Sequence, residues 1–461
     1  DGTAVEHKTA SGSQTSVTFS RSFSTARIIN WSSTAYDIAG AASGMLTGSF
    51  SVVAPVVAPS PRLRISAWIS PGSDSTYFAP MESVSRHGGA LQEANIVLFS
   101  LNAAGTLSSD LASLGTIRPF VAPSSIVPTI QSLYGGSNLV MKPSAREAHA
   151  QRLYDFVHDN GFAGIDIDYE DVTSSVDFNA FLKILADKLH AAGAILSVVV
   201  HGLPHGGEDL IAIGQIADEV KFMCYNFDNG TLVPLAGLDK VATRAEQIPL
   251  SKVVIALPWY GRRISPNGAV TEFTAKRAQA ERSGVVTYAD GDATYSDAAG
   301  TVYFEDATSY AADIAFLQQN HSGITKIGHW QIGEELDETW SVIDSMNTSG
   351  PNFAISGATA LDVAQGTEGR QDYGLVPQGG FSDRGTVDVV LLSNRFEGSV
   401  RVTSSSVTST NTITLSVMPT TATPLGKYFV GVRFSSGSLT HLKLVTVNVT
   451  AAPARARPVR H

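Results

Sequence analysis

From Arg64 onward the chain repeats one pattern: a short apolar run of strand character, then a stretch with the 3.6-residue spacing of an amphipathic helix. Candidate strands fall at 64–70, 95–101, 117–122, 164–170, 195–201, 220–227, 253–260 and 326–332, and helices at 145–160 and 176–192 lie between some of them. A strand apolar on both faces and followed by a helix belongs in a parallel sheet covered by helices. Eight such units over about 290 residues predict a (β/α)8 TIM barrel, an α/β fold. A doubly wound open sheet is the competing arrangement, but no strand is followed by the Gly-rich phosphate turn that would favour it.

Interruptions of that pattern divide the chain. Residues 1–60 are rich in Ser, Thr, Ala and Gly, with β-type runs at 15–23 and 49–57; this β-rich segment shows no legible role. The stretch 53–61 carries three prolines and reads as a linker, so the barrel is expected over 61–348. Between the seventh and eighth strands, 263–306 is too long for one helix and contains strand-like pieces. An α+β insertion there would wall the C-terminal mouth, where barrel active sites are built. Past residue 351 the helical pattern stops. Five β-runs within 352–451, at 385–392, 398–403, 412–417, 426–434 and 442–449, have the spacing of an immunoglobulin-like β-sandwich. Without an acid pair, a His cluster or a Trp, that module is expected to be a spacer or surface attachment. Residues 452–461 form a basic tail.

The net charge of -10 argues against nucleic acid or an anionic membrane as partner and suits a neutral polymer such as a polysaccharide. The single cysteine, Cys224, excludes an internal disulfide and any Cys-based metal site. No run of about 18 apolar residues predicts a membrane span. The chain opens at Asp1 without a signal peptide and reads as a mature or trimmed form of a secreted or cell-surface protein.

The chemistry concentrates in Gly161-Phe-Ala-Gly-Ile-Asp-Ile-Asp-Tyr-Glu-Asp171. As a strand, its period of two puts Asp166, Asp168 and Glu170 on one face and Ile165, Ile167 and Tyr169 on the other. Like charges that close raise at least one pKa, which keeps a carboxyl protonated as a general acid near neutral pH. His201, His205 and Glu208 follow the fifth strand, but their spacing matches no usual ligand set, and no metal or other cofactor is expected.

Gly164-Ile-Asp-Ile-Asp-Tyr-Glu170 resembles the signature of the family 18 glycoside hydrolases, the chitinase-like enzymes. Phe222-Met-Cys-Tyr-Asn226 resembles that family's sixth-strand Met-x-Tyr-Asp, Leu257-Pro-Trp-Tyr-Gly-Arg262 its seventh-strand Pro-Phe-Tyr-Gly-Arg, and Gly328-His-Trp330 its eighth-strand end. Ile65-Ser-Ala-Trp68, Trp330-Gln-Ile-Gly333 and Trp340 look closest to the chitobiase and spore-cortex-lytic branch. The resemblance implies retaining hydrolysis of β-1,4-linked N-acetylglucosamine polymers or oligomers, in which the substrate's own acetamido oxygen attacks the anomeric carbon. Glu170 would be acid and then base, Asp168 the acetamido partner, Asp166 a tuner sharing a proton with Asp168, and Tyr225 the support of the acetamido carbonyl. Trp330 would floor the site, with Asn226, Met223, Trp259, Tyr260 and Arg262 as substrate contacts; Met223 fits core packing as well. Peptidoglycan or N-glycan-core cleavage is the alternative within the class, and a catalytically silent carbohydrate-binding lectin the alternative outside it. Three features depart from the family pattern: Ala163 in place of a further Asp, Asn226 in place of an Asp, and no Ser-x-Gly-Gly in the third strand as read at 117–122.

Overall fold

The structure, a computed structural model, describes residues 62–122, 125–227, 230–347, 351–403, 406–408, 412–437 and 439–452, and the backbone of 27–33 and 46–52. Arg27–Ser33 and Leu46–Val52 form an antiparallel pair. The strand expected at 15–23, the linker at 53–61 and tail residues 453–461 lie outside the described residues.

Eight parallel strands close into a barrel: β1 (Arg64–Ile69), β2 (Glu93–Leu101), β3 (Thr129–Ser132), β4 (Gly164–Tyr169), β5 (Ile195–His201), β6 (Glu219–Met223), β7 (Val253–Pro258) and β8 (Lys326–Trp330). Each pairs with its neighbours in chain order, and β8 returns to β1. The period of two in β4 divides its side chains as the sequence requires. Tyr169 points outward between helices Arg146–Asn160 and Ser175–Ala191, where its hydroxyl meets His149 Nε2 at 2.7 Å and its ring lies 5.9 Å from Phe181. Gly164 opens the strand because a Cβ there would sit 2.2 Å from the Ile195 carbonyl oxygen of β5.

The third strand was expected at 117–122 and is not there. Leu114–Ile117 is helical and Arg118–Phe120 a 3-10 turn, in which Pro119 has no N–H to give a sheet. Ile117 and Val121 are buried, so their apolar, β-branched character reflects packing rather than pairing. The actual β3, Thr-Ile-Gln-Ser, is polar at three of its four positions, and Thr129 and Gln131 face the acids of β4 across the register Thr129↔Asp166 and Gln131↔Asp168. Gly135 and Gly136 follow it, so the Gly-Gly missing at 117–122 belongs to this later segment.

After β7 the chain enters the insertion, three residues before the expected start. Its five antiparallel strands run in the order Val270–Thr274, Tyr260–Ile264, Gly300–Phe304, Asp292–Asp297, Thr287–Ala289, with helix Ala275–Glu281 packed on them. The C-terminal region is two sheets sharing one core, Phe353, Tyr373 and Leu415 from one and Val387, Val430 and Val447 from the other. These sheets rest on the barrel. Leu392 and Leu444 join the barrel core, Phe429 lies 6.2 Å from Phe316, and Arg433 Nη1 donates to Thr308 Oγ1 at 2.6 Å. Helix Ala307–Asn320 is thereby buried from Thr308 to Leu317. Among the described residues no helix is long and apolar enough to cross a membrane.

Candidate active site

At the C-terminal mouth, the inward face of β4 presents Asp166, Asp168 and Glu170 at increasing height. Asp166 is fully buried and both its oxygens are taken. Oδ1 accepts from Lys221 Nζ at 3.0 Å, and Oδ2 accepts from Trp68 Nε1 at 3.0 Å and Thr129 Oγ1 at 2.9 Å. Lys221, also fully buried, bridges on to Glu93 at 2.7 Å. Burial opposes the Lys221 charge, yet Asp166, Glu93 and Glu219 raise its pKa, so it stays a cation. Asp166 is thus held by an ion pair with Lys221 and by two further donors, partners that the sequence alone does not name.

Asp168 has the opposite environment. Gln131 Nε2 donates to its Oδ2 at 3.0 Å, while buried Oδ1 has no protein partner. Burial first, then the charges of Glu170 and Asp166, hold its pKa well above the usual carboxylate range. Glu170 is only partly buried; burial and Asp171 raise its pKa and His201 opposes the rise. Asp171 is structural: Ser132 Oγ, the Gly135 N–H and Ser137 Oγ all donate to it.

The residues expected around this row separate into two groups. Tyr225, Trp330 and Met223 converge with Trp68, Val199 and Ala256 in an apolar collar, the rings of Trp68 and Trp330 5.8 Å apart. Burial, with Tyr260, Asp168, Glu170 and Glu272 nearby, pushes the Tyr225 phenol well up, so its O–H remains a donor. Tyr260 Oη donates to Asn226 Oδ1 at 2.7 Å, and Asn226 Nδ2 donates to Glu272 Oε1 at 3.0 Å, coupling the barrel to the insertion. Asn226 adopts φ 61°, a left-handed conformation that asparagine tolerates. Arg262 Nε lies 3.6 Å from Glu272, and its buried Nε and Nη1 lack hydrogen-bond partners. Trp259, expected on the cleft, is instead fully buried behind it, stacked on His329 at 4.1 Å and 5.1 Å from Trp340.

Sequence reasoning missed Lys221, Gln131 and Thr129. A lysine inside the apolar run Val220-Lys-Phe222 was the available signal, since a buried strand admits a cation only against paired acids. His201, His205 and Glu208 do come together, their ligand-type atoms within 4.8 Å of one another, but Glu208 already accepts from His201 and Arg244.

A second group of buried acids lies beneath the insertion. Asp292 accepts the Leu232 and Val233 N–H groups at 2.9 and 2.7 Å, and burial raises it to about 7. Glu305 accepts from Ser309 Oγ, and neither oxygen of Asp313 has a partner. Burial, then neighbouring acids, push both pKa values well up.

A parallel barrel with a carboxylate row at its mouth and an unpartnered acceptor beside a raised-pKa acid has the groups that general acid–base chemistry on a bound substrate requires. Residues 129–335 match the family model described as Glycosyl hydrolases family 18. YdhD of Bacillus subtilis (strain 168), named as a sporulation-specific glycosylase, is 26% identical over 220 residues, 41% of this chain and 51% of its own. The chain thus spans about half the length of that curated relative. In three dimensions a chitinase from Chromobacterium violaceum superposes with TM-score 0.53 at 21% identity, over 62% of this chain and 98% of that one. The spore cortex-lytic enzyme SleL of Bacillus megaterium superposes with TM-score 0.54 at 19% identity, over 65% and 77%. At these identities the two structures support the fold.

Proposed function

We propose that the barrel hydrolyses β-1,4-linked N-acetylglucosamine polymers or oligomers, chitin or chitooligosaccharides foremost, with retention and with the substrate's acetamido group as nucleophile. The observation that carries this reading is Asp168 Oδ1, a buried acceptor without a partner beside Glu170. A buried unpaired acceptor costs about 1–3 kcal/mol, which an acetamido N–H recovers on binding. Glu170, whose pKa burial and Asp171 raise, gives its proton to the glycosidic oxygen as the C1–O bond breaks. The acetamido carbonyl oxygen closes on C1, and Asp168 accepts the N–H of the oxazolinium ion. Tyr225 donates to the carbonyl oxygen and holds it in line, while Trp330 and Trp68 supply the apolar floor. Glu170 then takes a proton from water as the water attacks C1, and the acetamido group is released intact.

The test is a chitooligosaccharide series in which the 2-acetamido group of the cleaved residue is replaced by hydroxyl. Hydrolysis should vanish with the acetamido group, and the first anomer released by the parent compound should be β; equal rates on both compounds would overturn the mechanism. A second reading, cleavage of N-acetylglucosamine linkages in peptidoglycan, is favoured by the likeness to a sporulation-specific glycosylase. Product analysis on peptidoglycan beside chitooligosaccharides separates the two. In either case we read the chain as an exported or cell-surface enzyme, with the C-terminal sheets as an immunoglobulin-like spacer.

A further inference from the structure

Beside the acid row, at the end of β5, a second polar assembly points at the same place. The β4–β5 register runs to Ile167↔Val198, and continuing it three residues along both chains brings Glu170 level with His201, which is close enough to act on the Glu170 charge. The imidazole is held from behind. Glu208 Oε1 lies 2.7 Å from His201 Nδ1 and accepts the His201 backbone N–H at 2.9 Å. Arg244, on helix Leu235–Ala245, donates to Glu208 Oε2 at 3.1 Å and to the His201 carbonyl oxygen. Glu208 and Arg244 are both buried to within a tenth of their side-chain surface, whereas His201 keeps about a quarter of its own exposed (28%). The loop carrying them is clamped to the segment after Glu170: a Cβ on Gly207, at φ 92°, would sit 2.2 Å from the Val172 carbonyl oxygen. With Nδ1 engaged by Glu208, Nε2 is the ring nitrogen left for the mouth.

We propose that His201, braced by Glu208 and Arg244, is a positioning residue that orients the Glu170 carboxyl and offsets its charge once its proton has gone to the leaving oxygen. The inference rests on the reading of Glu170 as acid and base. Around Glu170 the charged or titratable groups are Asp168 on its own strand, Asp171 next in sequence, His201 from β5 and Tyr225 from β6. Around His201 they are Glu170, Glu208, Arg244 and His205, whose ring stacks on it at 3.8 Å. His201 is thus the imidazole nearest a carboxyl otherwise flanked by acids and a phenol. A carboxylate formed in the first half of the reaction gains a charge-assisted donor there.

The experiment compares the pH dependence of kcat for the full chain with His201→Asn, Glu208→Gln and Glu170→Gln on a chromogenic chitooligosaccharide. Without the imidazole, Glu170 holds its proton to higher pH, so the alkaline limb of His201→Asn should move up by roughly 0.5–1 unit. Its kcat should fall about tenfold with KM little changed. Glu208→Gln should move the limb in the same direction by less, because the ring remains but loses its anchor. His201→Gln replaces His201→Asn if the latter lowers the melting temperature. An unshifted limb in both His201 and Glu208 variants, with Glu170→Gln inactive, overturns this inference and leaves the hydrolase reading standing. An active Glu170→Gln overturns that reading itself. Activity lost to EDTA and restored by Zn2+ would overturn the positioning role in favour of a metal on the same three side chains.

Discussion

Two sets of acids are drawn into this fold, and they differ in how their oxygens are satisfied. On β4, Asp166 is ion-paired to Lys221, Asp168 keeps one open acceptor, and Glu170, just past the strand end, is only partly buried. Beneath the insertion, Asp292 is satisfied by backbone N–H groups, Glu305 by Ser309, and Asp313 by nothing. Both sets contain carboxyls with raised pKa values, so a perturbed pKa does not by itself mark a site of chemistry. What distinguishes the first set is asymmetry: one acid fixed by a cation, one half-satisfied, one at the surface. The second set is the by-product of folding a sheet and a helix over polar chain.

The comparison can be broken at several points, beginning with the largest effect. Glu170→Gln should lower kcat by about 10²–10⁴-fold while sugar binding persists, measured by turnover and calorimetry. Lys221→Met leaves the buried Asp166 without its cation and Glu93 with Arg64 as its remaining cation, and should destabilise the fold by about 3–5 kcal/mol in a denaturant titration. Gln131→Leu strips Asp168 of its one protein donor. The expected cost is about 1–2 kcal/mol in kcat/KM, with a smaller change in melting temperature. The second set predicts the reverse sign. A carboxyl whose folded pKa is raised contributes stability that is fully present below its unfolded pKa and is lost as pH rises through the folded value. For Asp292 that window runs from about 4 to about 7. Asp313, raised in the same direction by burial and neighbouring acids, loses stability likewise as pH rises, so Asp313→Asn should raise the melting temperature at alkaline pH, flatten its decline with rising pH, and leave activity unchanged.

Much of this was legible in the chain because two periodicities are robust. The alternation of Asp166, Asp168 and Glu170 with Ile165, Ile167 and Tyr169 survives intact, since a buried β4 can satisfy both faces only that way. β3 was illegible for the complementary reason. Its inward residues, Thr129 and Gln131, are polar because they serve the acids, so the strand looks like a loop, while Ile117 and Val121 in a turn look like a strand. Trp259 shows a further limit. A Trp one residue past a barrel strand can face cleft or helix layer, and only the packing of His329 and Trp340 decides. Lys221 needed three dimensions, because its partners Glu93 and Asp166 come from β2 and β4, strands distant in sequence.

Helix Ala307–Asn320 has the barrel on one side and the C-terminal sheets on the other. A helix sandwiched in this way is a weld rather than a hinge. The outer sheets cannot swing about it without exposing Phe316, Phe429 and Leu392, so they and the barrel turn as one solid object. Anything that grips those sheets therefore also fixes the compass bearing of the barrel mouth.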